Sequence, residues 1–150
     1  MATPALPFIF EPQWFVPLFA VAWFGSAAVM ARIAGWSGLA RLFPAPPRVT
    51  GETLRFVSVS LGSSQFPIRY RNCVRLVVGE AGLQVSLMFP FRFASPAFFA
   101  PWSDVEAADE QQLLSTRTVT LRFRGNGSHL TLRGPIGQLV LDAWRQGTRR

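Results

Sequence analysis

Arg69, Arg71 and Arg75, with Arg55 upstream, are the side chains in this 150-residue chain whose type and spacing point most directly to a ligand. An arginine presents a flat fork of N–H donors that matches phosphate and carboxylate oxygens. A row of them on one strand face therefore suits lipid phosphates or an acidic partner surface. The plainer reading of the same row is a solvated sheet face that keeps strand edges from aggregating. Asp104 and Glu106 lie two apart and would share a strand face, which could form a general acid/base pair. With no third group to converge on them, ion pairing to nearby arginines is the simpler expectation. His129 stands beside a turn signal with no sequence-near nucleophile. One histidine and one cysteine, Cys73, cannot assemble a metal site from the usual soft and imidazole ligands, and a phosphate loop would need a lysine that this chain lacks. The expectation is a binding module without catalysis, metal, cofactor or an identifiable small-molecule substrate.

Composition narrows the partner class. All fifteen basic residues are arginine, which together with frequent Ala, Gly and Pro fits a high-GC genome. From Arg48 onward thirteen arginines face seven acidic residues, a net charge of +6 that favours a polyanionic neighbour. Nucleic acid would fit the charge and the Arg145-to-Arg150 tail. However, most phenylalanines fall at core or lipid positions, and a single tyrosine leaves little for base stacking, so no nucleic-acid partner is expected. The lone cysteine cannot form an internal disulfide and mildly favours a reducing compartment.

The elements that must position these arginines begin with an uncharged run, Trp14 to Ala31, long enough at about 1.5 Å per residue to cover a bilayer's hydrocarbon. Trp14 and Trp36 bracket it as aromatic interface anchors, and Arg32 can snorkel to the headgroups. Small residues at Ala20 to Ala22 resemble a signal-peptidase site, but no positive n-region precedes them, so an uncleaved anchor fits better. No basic residue precedes the span, whereas Arg32, Arg41 and Arg48 follow it. The positive-inside bias thus predicts a short extracytoplasmic N-terminus at 1–13, a transmembrane helix at 14–36 and a cytoplasmic domain under the inner (plasma) membrane. Residues 37–50 read as an interfacial turn of helix, with Trp36, Leu39, Leu42 and Phe43 toward lipid, followed by a stiff Pro-rich spacer.

Residues 51–150 carry strand periodicity. Leu54 to Leu61 changes phase between Phe56 and Val57, as a bulge would cause. In Ile68 to Val78 the apolar face is Ile68, Tyr70, Val74, Leu76 and Val78, interrupted by Asn72, while Arg69, Arg71, Cys73 and Arg75 face outward. The turn at Gly79 to Gly82 leads to Leu83, Val85 and Leu87, forming a hairpin. Phe89 to Pro101 is too rich in Pro for a central strand and reads as an irregular or edge segment whose aromatics cover a barrel end. A short strand at Trp102 to Ala108, an acidic connection through Asp109 and Glu110, and a hairpin from Thr116 through Gly125 to Leu132 follow. Ile136, Leu139, Val140, Ala143 and Trp144 then mark a terminal amphipathic helix. The fold class is α+β: a transmembrane helix, then a curled sheet or barrel of about seven strands closed by a C-terminal helix.

The strand order, the hairpin LVVGEAGLQVSL and above all PAFFAPWSDVEAA, with Pro101, Trp102, Ser103 and Asp104, resemble bacterial single-pass membrane proteins with a pleckstrin-homology-like (PH-like) domain. The similarity covers about Thr53 to Gln146. It implies a PH-like module at 51–150 acting as a membrane-anchored adaptor on inner-leaflet lipid or a membrane protein partner. PH-like domains often bind phosphoinositides through a basic first hairpin, and the corresponding loop here is Gly62-Ser63-Ser64-Gln65. The alternative is a small structural subunit of a membrane complex whose helix, through Gly25, Ser26, Ala27 and Ala28, is the main interface.

Overall fold

The structure, a computed structural model, describes residues 12–63, 65–93 and 95–149, so most of the expected N-terminal segment 1–13 lies outside the described residues. Helix α1 (Pro12–Ile33) is the apolar run and is exposed along nearly its whole length. Gly35, in the left-handed region at φ 73°, turns the chain into the short α2 (Trp36–Leu42). Seven antiparallel strands follow: β1 (Glu52–Gly62), β2 (Pro67–Val78), β3 (Gly82–Leu87), β4 (Phe98–Pro101), β5 (Val105–Leu113), β6 (Thr116–Phe123) and β7 (His129–Arg133). Helix α3 (Pro135–Thr148) ends the fold, with Pro135 at its first turn where a missing N–H costs nothing. The sheet order β4-β3-β2-β1-β7-β6-β5 curls into a nearly closed barrel, as the α+β reading expects.

The phase change in β1 is a bulge: pairing with β2 slips between Leu54 and Val57, and Phe56 sits at φ 57°. The interruption at Asn72 is a second irregularity. Asn72 (φ 50°) turns outward, its backbone N–H donates to Ser58 Oγ at 3.0 Å, and the Ser58 hydroxyl donates to Asn72 Oδ1 at 2.9 Å. The polar residue thus leaves the apolar face at the point where the ladder accommodates extra residues.

Three expectations change. Trp102 to Asp104 is a 3-10 turn and not the start of a strand. Trp102 is buried there and its indole N–H donates to Gly79 O at 3.0 Å, tying this turn to the β2–β3 connection. Asp109 and Glu110 do not form a connection but lie within β5, which tolerates them because it is a sheet edge and its acids meet arginines. Segment 37–50 is not an interfacial strip. Trp36 and Leu39 of α2 are fully buried, and Trp36 packs edge-on against Tyr70 and Phe98 at ring separations of 5.4 and 5.3 Å. An apolar i, i+3 pair beside a membrane span looks the same whether lipid or a barrel mouth receives it; here the barrel does.

The core therefore has two stoppers. Helix α3 sets Val140 and Leu141 against the end where β2 and β7 finish, and α2 fills the opposite end, with Phe43 6.4 Å from Phe123. The Pro-rich spacer is not free either. Phe43 O accepts from Phe99 N–H at 2.9 Å and Pro44 bridges to Phe98, so the spacer covers part of the β4 edge.

Candidate binding surface

Arg69 and Arg71 leave the outer face of β2, and the sheet register brings a third arginine to them. Ser60 of β1 lies between Arg69 and Thr131 of β7, and Arg133 follows two residues along β7 on the same face. Together Ser58, Ser60, Thr131, Arg69, Arg71 and Arg133 line a shallow groove of about 260 Å³. Its volume lies below the roughly 300 Å³ at which ordinary small-molecule pockets begin, and its lining of hydroxyls and guanidinium groups suits an anionic group. Arg133 was not among the residues singled out from sequence. Its outward position follows from alternation with Leu130 and Leu132, but its proximity to β2 depends on β1 lying between them.

The other two expected arginines lie apart from the groove. Arg75 sits farther along β2, where its carbonyl accepts from Ser86 Oγ at 3.4 Å, and Arg55 lies in the β1 bulge opposite it. Both are exposed. The expected row on β2 is thus two pairs, Arg69 with Arg71 and Arg55 with Arg75, divided by the Asn72 irregularity.

Charge is distributed unevenly around the barrel. On β5, β6 and α3 the arginines meet carboxylates: Arg122 with Asp109, Arg124 with Glu106 at 3.5 Å, Arg117 with Glu110 at 4.0 Å, and Arg145 with Glu110 and Asp142 at 3.9 and 3.8 Å. Glu106 therefore takes the ion-pairing role expected of it. Among the described residues no carboxylate pairs with Arg69, Arg71 or Arg133, so the β7-β1-β2 face keeps its positive potential.

The end of the barrel that joins α1 is the apolar one. Trp36, expected as an interface anchor, is not available to lipid, because its ring is in the core and its N–H donates to Pro96 O at 2.7 Å. Arg32 is exposed on the last turn of α1 and Trp14 is exposed on the first. Phe98 of β4 is buried in the core, but Phe89, Phe91 and Phe93 of the β3–β4 connection do not seal the barrel. Instead Phe91 approaches Trp23 and Phe93 approaches Phe24 of α1, each at 6.1 Å.

Behind the arginine face, Tyr70 and Cys73 are shielded. Burial, and secondarily the neighbouring Cys73, pushes the Tyr70 hydroxyl up to about 12, and burial likewise raises the Cys73 thiol, which keeps it in the unreactive protonated form. A larger cavity, about 1,040 Å³, opens at the opposite end beneath α3. It mixes Glu52, Glu80 and Asp142 with Arg117 and Gln138. Among the described residues no group of three His, Cys, Asp or Glu side chains is placed to hold a metal ion.

Comparison with known proteins finds no family model and no curated protein that matches this chain.

Proposed function

We propose that this chain is a membrane-anchored, PH-like adaptor without catalytic activity, whose cytoplasmic barrel touches anionic inner-leaflet lipid or an acidic membrane protein with the Arg69–Arg71–Arg133 groove. The observation that carries the reading is this arginine trio, with no carboxylate partner among the described residues, on a barrel that follows an apolar, spanning-length helix. Strand order and the closing C-terminal helix support the PH-like assignment. Placement in the inner membrane with the N-terminus outside rests on the arginines after the span.

The test uses the full chain in nanodiscs of phosphatidylcholine alone or mixed with phosphatidylglycerol, treated with the arginine reagent phenylglyoxal and read by mass spectrometry. Arg69, Arg71 and Arg133 should react several-fold more slowly in the anionic discs, with the protection fading at about 1 M salt, where screening acts within roughly 3 Å. Arg117 should react equally in both. Identical reactivity of the trio in the two lipids would remove lipid from the proposal and leave an acidic protein.

A second reading, a structural subunit using α1 as its interface, draws on Gly25, around which an added Cβ would meet nothing within 4 Å. Close helix approach in a bilayer needs such small residues. Gly25→Leu should abolish recovery of a co-purifying membrane partner if this reading holds and leave it unchanged otherwise.

A further inference from the structure

Three phenylalanines stand in the connection between β3 and β4 without an apolar domain surface to cover them. Phe89 is 78% exposed, Phe93 72% and Phe91 36%. Large aromatics left in water in one contiguous patch mark an interaction surface. Their neighbours show which one. On α1 the rings of Phe15, Phe19 and Trp23 follow each other at 6.1 and 5.8 Å, one helical turn apart, and the next ring in the series is Phe91, 6.1 Å from Trp23. Phe93 joins Phe24 at 6.1 Å and Phe89 at 5.9 Å. The helix and the loop share one continuous aromatic surface.

From the geometry we infer that residues 89–93 form a second membrane-inserting element, a wedge that enters the bilayer beside α1 and holds the barrel at a fixed attitude to it. The inference rests on α1 being a membrane span. Ten residues separate Trp23 from Ile33, about 15 Å of helix, and a headgroup layer takes up roughly 5–7 Å of that. The rings of Phe91 and Phe93 then sit roughly 8 Å inside the hydrocarbon, the depth reached by interfacial aromatic side chains, which penetrate about 5–10 Å. The remaining helix, from Val29 back to Pro12, is still about 27 Å long and spans the core.

The backbone suits a position at the acyl boundary. Phe91 N–H donates to Met88 O at 3.0 Å and Ser95 N–H to Arg92 O at 3.4 Å, closing consecutive tight turns that satisfy donors locally. Irregular chain with open donors would not be tolerated deeper. Arg92, exposed between the two rings, can extend its guanidinium back to the phosphates. Phe66, also exposed, lies in the β1–β2 connection at the same end of the barrel. Occupation by bilayer, and not by a soluble protein, follows from the continuity with α1.

The test labels single cysteines with an environment-sensitive fluorophore in the full chain carrying Cys73→Ser, reconstituted in mixed phosphatidylcholine and phosphatidylglycerol vesicles. Sites are Phe89→Cys and Phe93→Cys, with Phe19→Cys on α1 and the 93%-exposed Leu114→Cys at the far end as references. Lipids with a spin label near the headgroup should quench the Phe89 and Phe93 positions at least several-fold more than Leu114, and lipids labelled at mid-chain should quench Phe19, which lies about 15 Å deeper than Val29. If Phe19 is quenched while Phe89 and Phe93 behave like Leu114, the wedge is wrong and the anchor stands. If Phe19 also reports water, both fall. Labels that are dry yet unquenched mean that a second copy covers the loop, which also overturns the proposal. In the unmodified protein, a photoactivatable acyl chain should crosslink within residues 89–93. Its absence there, with crosslinking along α1, would overturn the wedge without depending on any variant.

Discussion

Trp36 stands at the junction of helix and barrel, where a tryptophan bounding a lipid span and a tryptophan filling a core have the same sequence neighbourhood. Its zero exposure and its bond to Pro96 O decide for the core. Trp36→Ala should cost about 3–5 kcal/mol in chemical denaturation of the detergent-solubilised chain, as expected for truncating a large core ring. A loss below roughly 1 kcal/mol would fit a surface anchor instead. Tyr70 gives a pH prediction. Its folded-state value, about 12, lies above the ordinary 10.0, so the folded chain holds the proton longer than the unfolded one. The associated stability is complete below pH 10 and disappears as pH rises toward 12. Because the buried hydroxyl has no hydrogen-bond partner among the described residues, Tyr70→Phe should leave neutral-pH stability unchanged or slightly raised and flatten this alkaline decline in thermal melts. At this scale the sequence showed Arg69 and Arg71 facing outward but not Arg133 beside them, because alternation fixes a side chain's face and says nothing about which strand lies next door.

At the scale of elements, the strands were legible where a period ran unbroken. The two hairpins at β2–β3 and β6–β7 carry Gly-rich turns between alternating apolar positions, and the bulge in β1 announced itself as a change of phase. The failures share a cause. Helix α2, the turn at Trp102 and the acids of β5 are each determined by a distant partner: the barrel mouth, the β2–β3 connection and the arginines of β6. Two glycines tune how the helices meet the sheet. Gly35 turns α1 into α2 at φ 73°, and an added Cβ would stand 2.8 Å from Ser128 Oγ. Gly35→Ala should therefore lose about 1–2 kcal/mol from the left-handed conformation, plus whatever the Ser128 shift costs, in the same denaturation assay. Gly147 lies so close to the Trp102 ring that a methyl group would collide with it. Gly147→Ala should displace the end of α3 and cost about 1–3 kcal/mol, the usual range for overpacking, with a change in tryptophan fluorescence.

On the scale of the whole molecule, α1 and α2 join the barrel through a shared core, with Ala31, Trp36 and Leu39 inside the same cluster as Phe98 and Phe123. A fragment beginning at Pro47 lacks that stopper. It should bind a hydrophobic dye such as ANS and lose near-ultraviolet circular dichroism, the signature of an unpacked interior. The full chain should do neither. If the shortened barrel proved as well packed as the full chain, α2 would have to be dispensable. Charge follows the same global plan: the acids of β5 and α3 neutralise arginines of β6, of the turn after it and of α3, while Arg69, Arg71 and Arg133 on the β7-β1-β2 face meet no carboxylate among the described residues.

The bond from Trp36 to Pro96 also sets an order of events during synthesis. The two residues are 60 apart in the chain, so on a ribosome adding about 5–20 residues per second the indole waits seconds for its acceptor. Throughout that interval α2 has no core to enter. Under the proposed anchoring, the nascent chain would keep Trp36 unattended beside the membrane until the segment leading into β4 emerges to receive it.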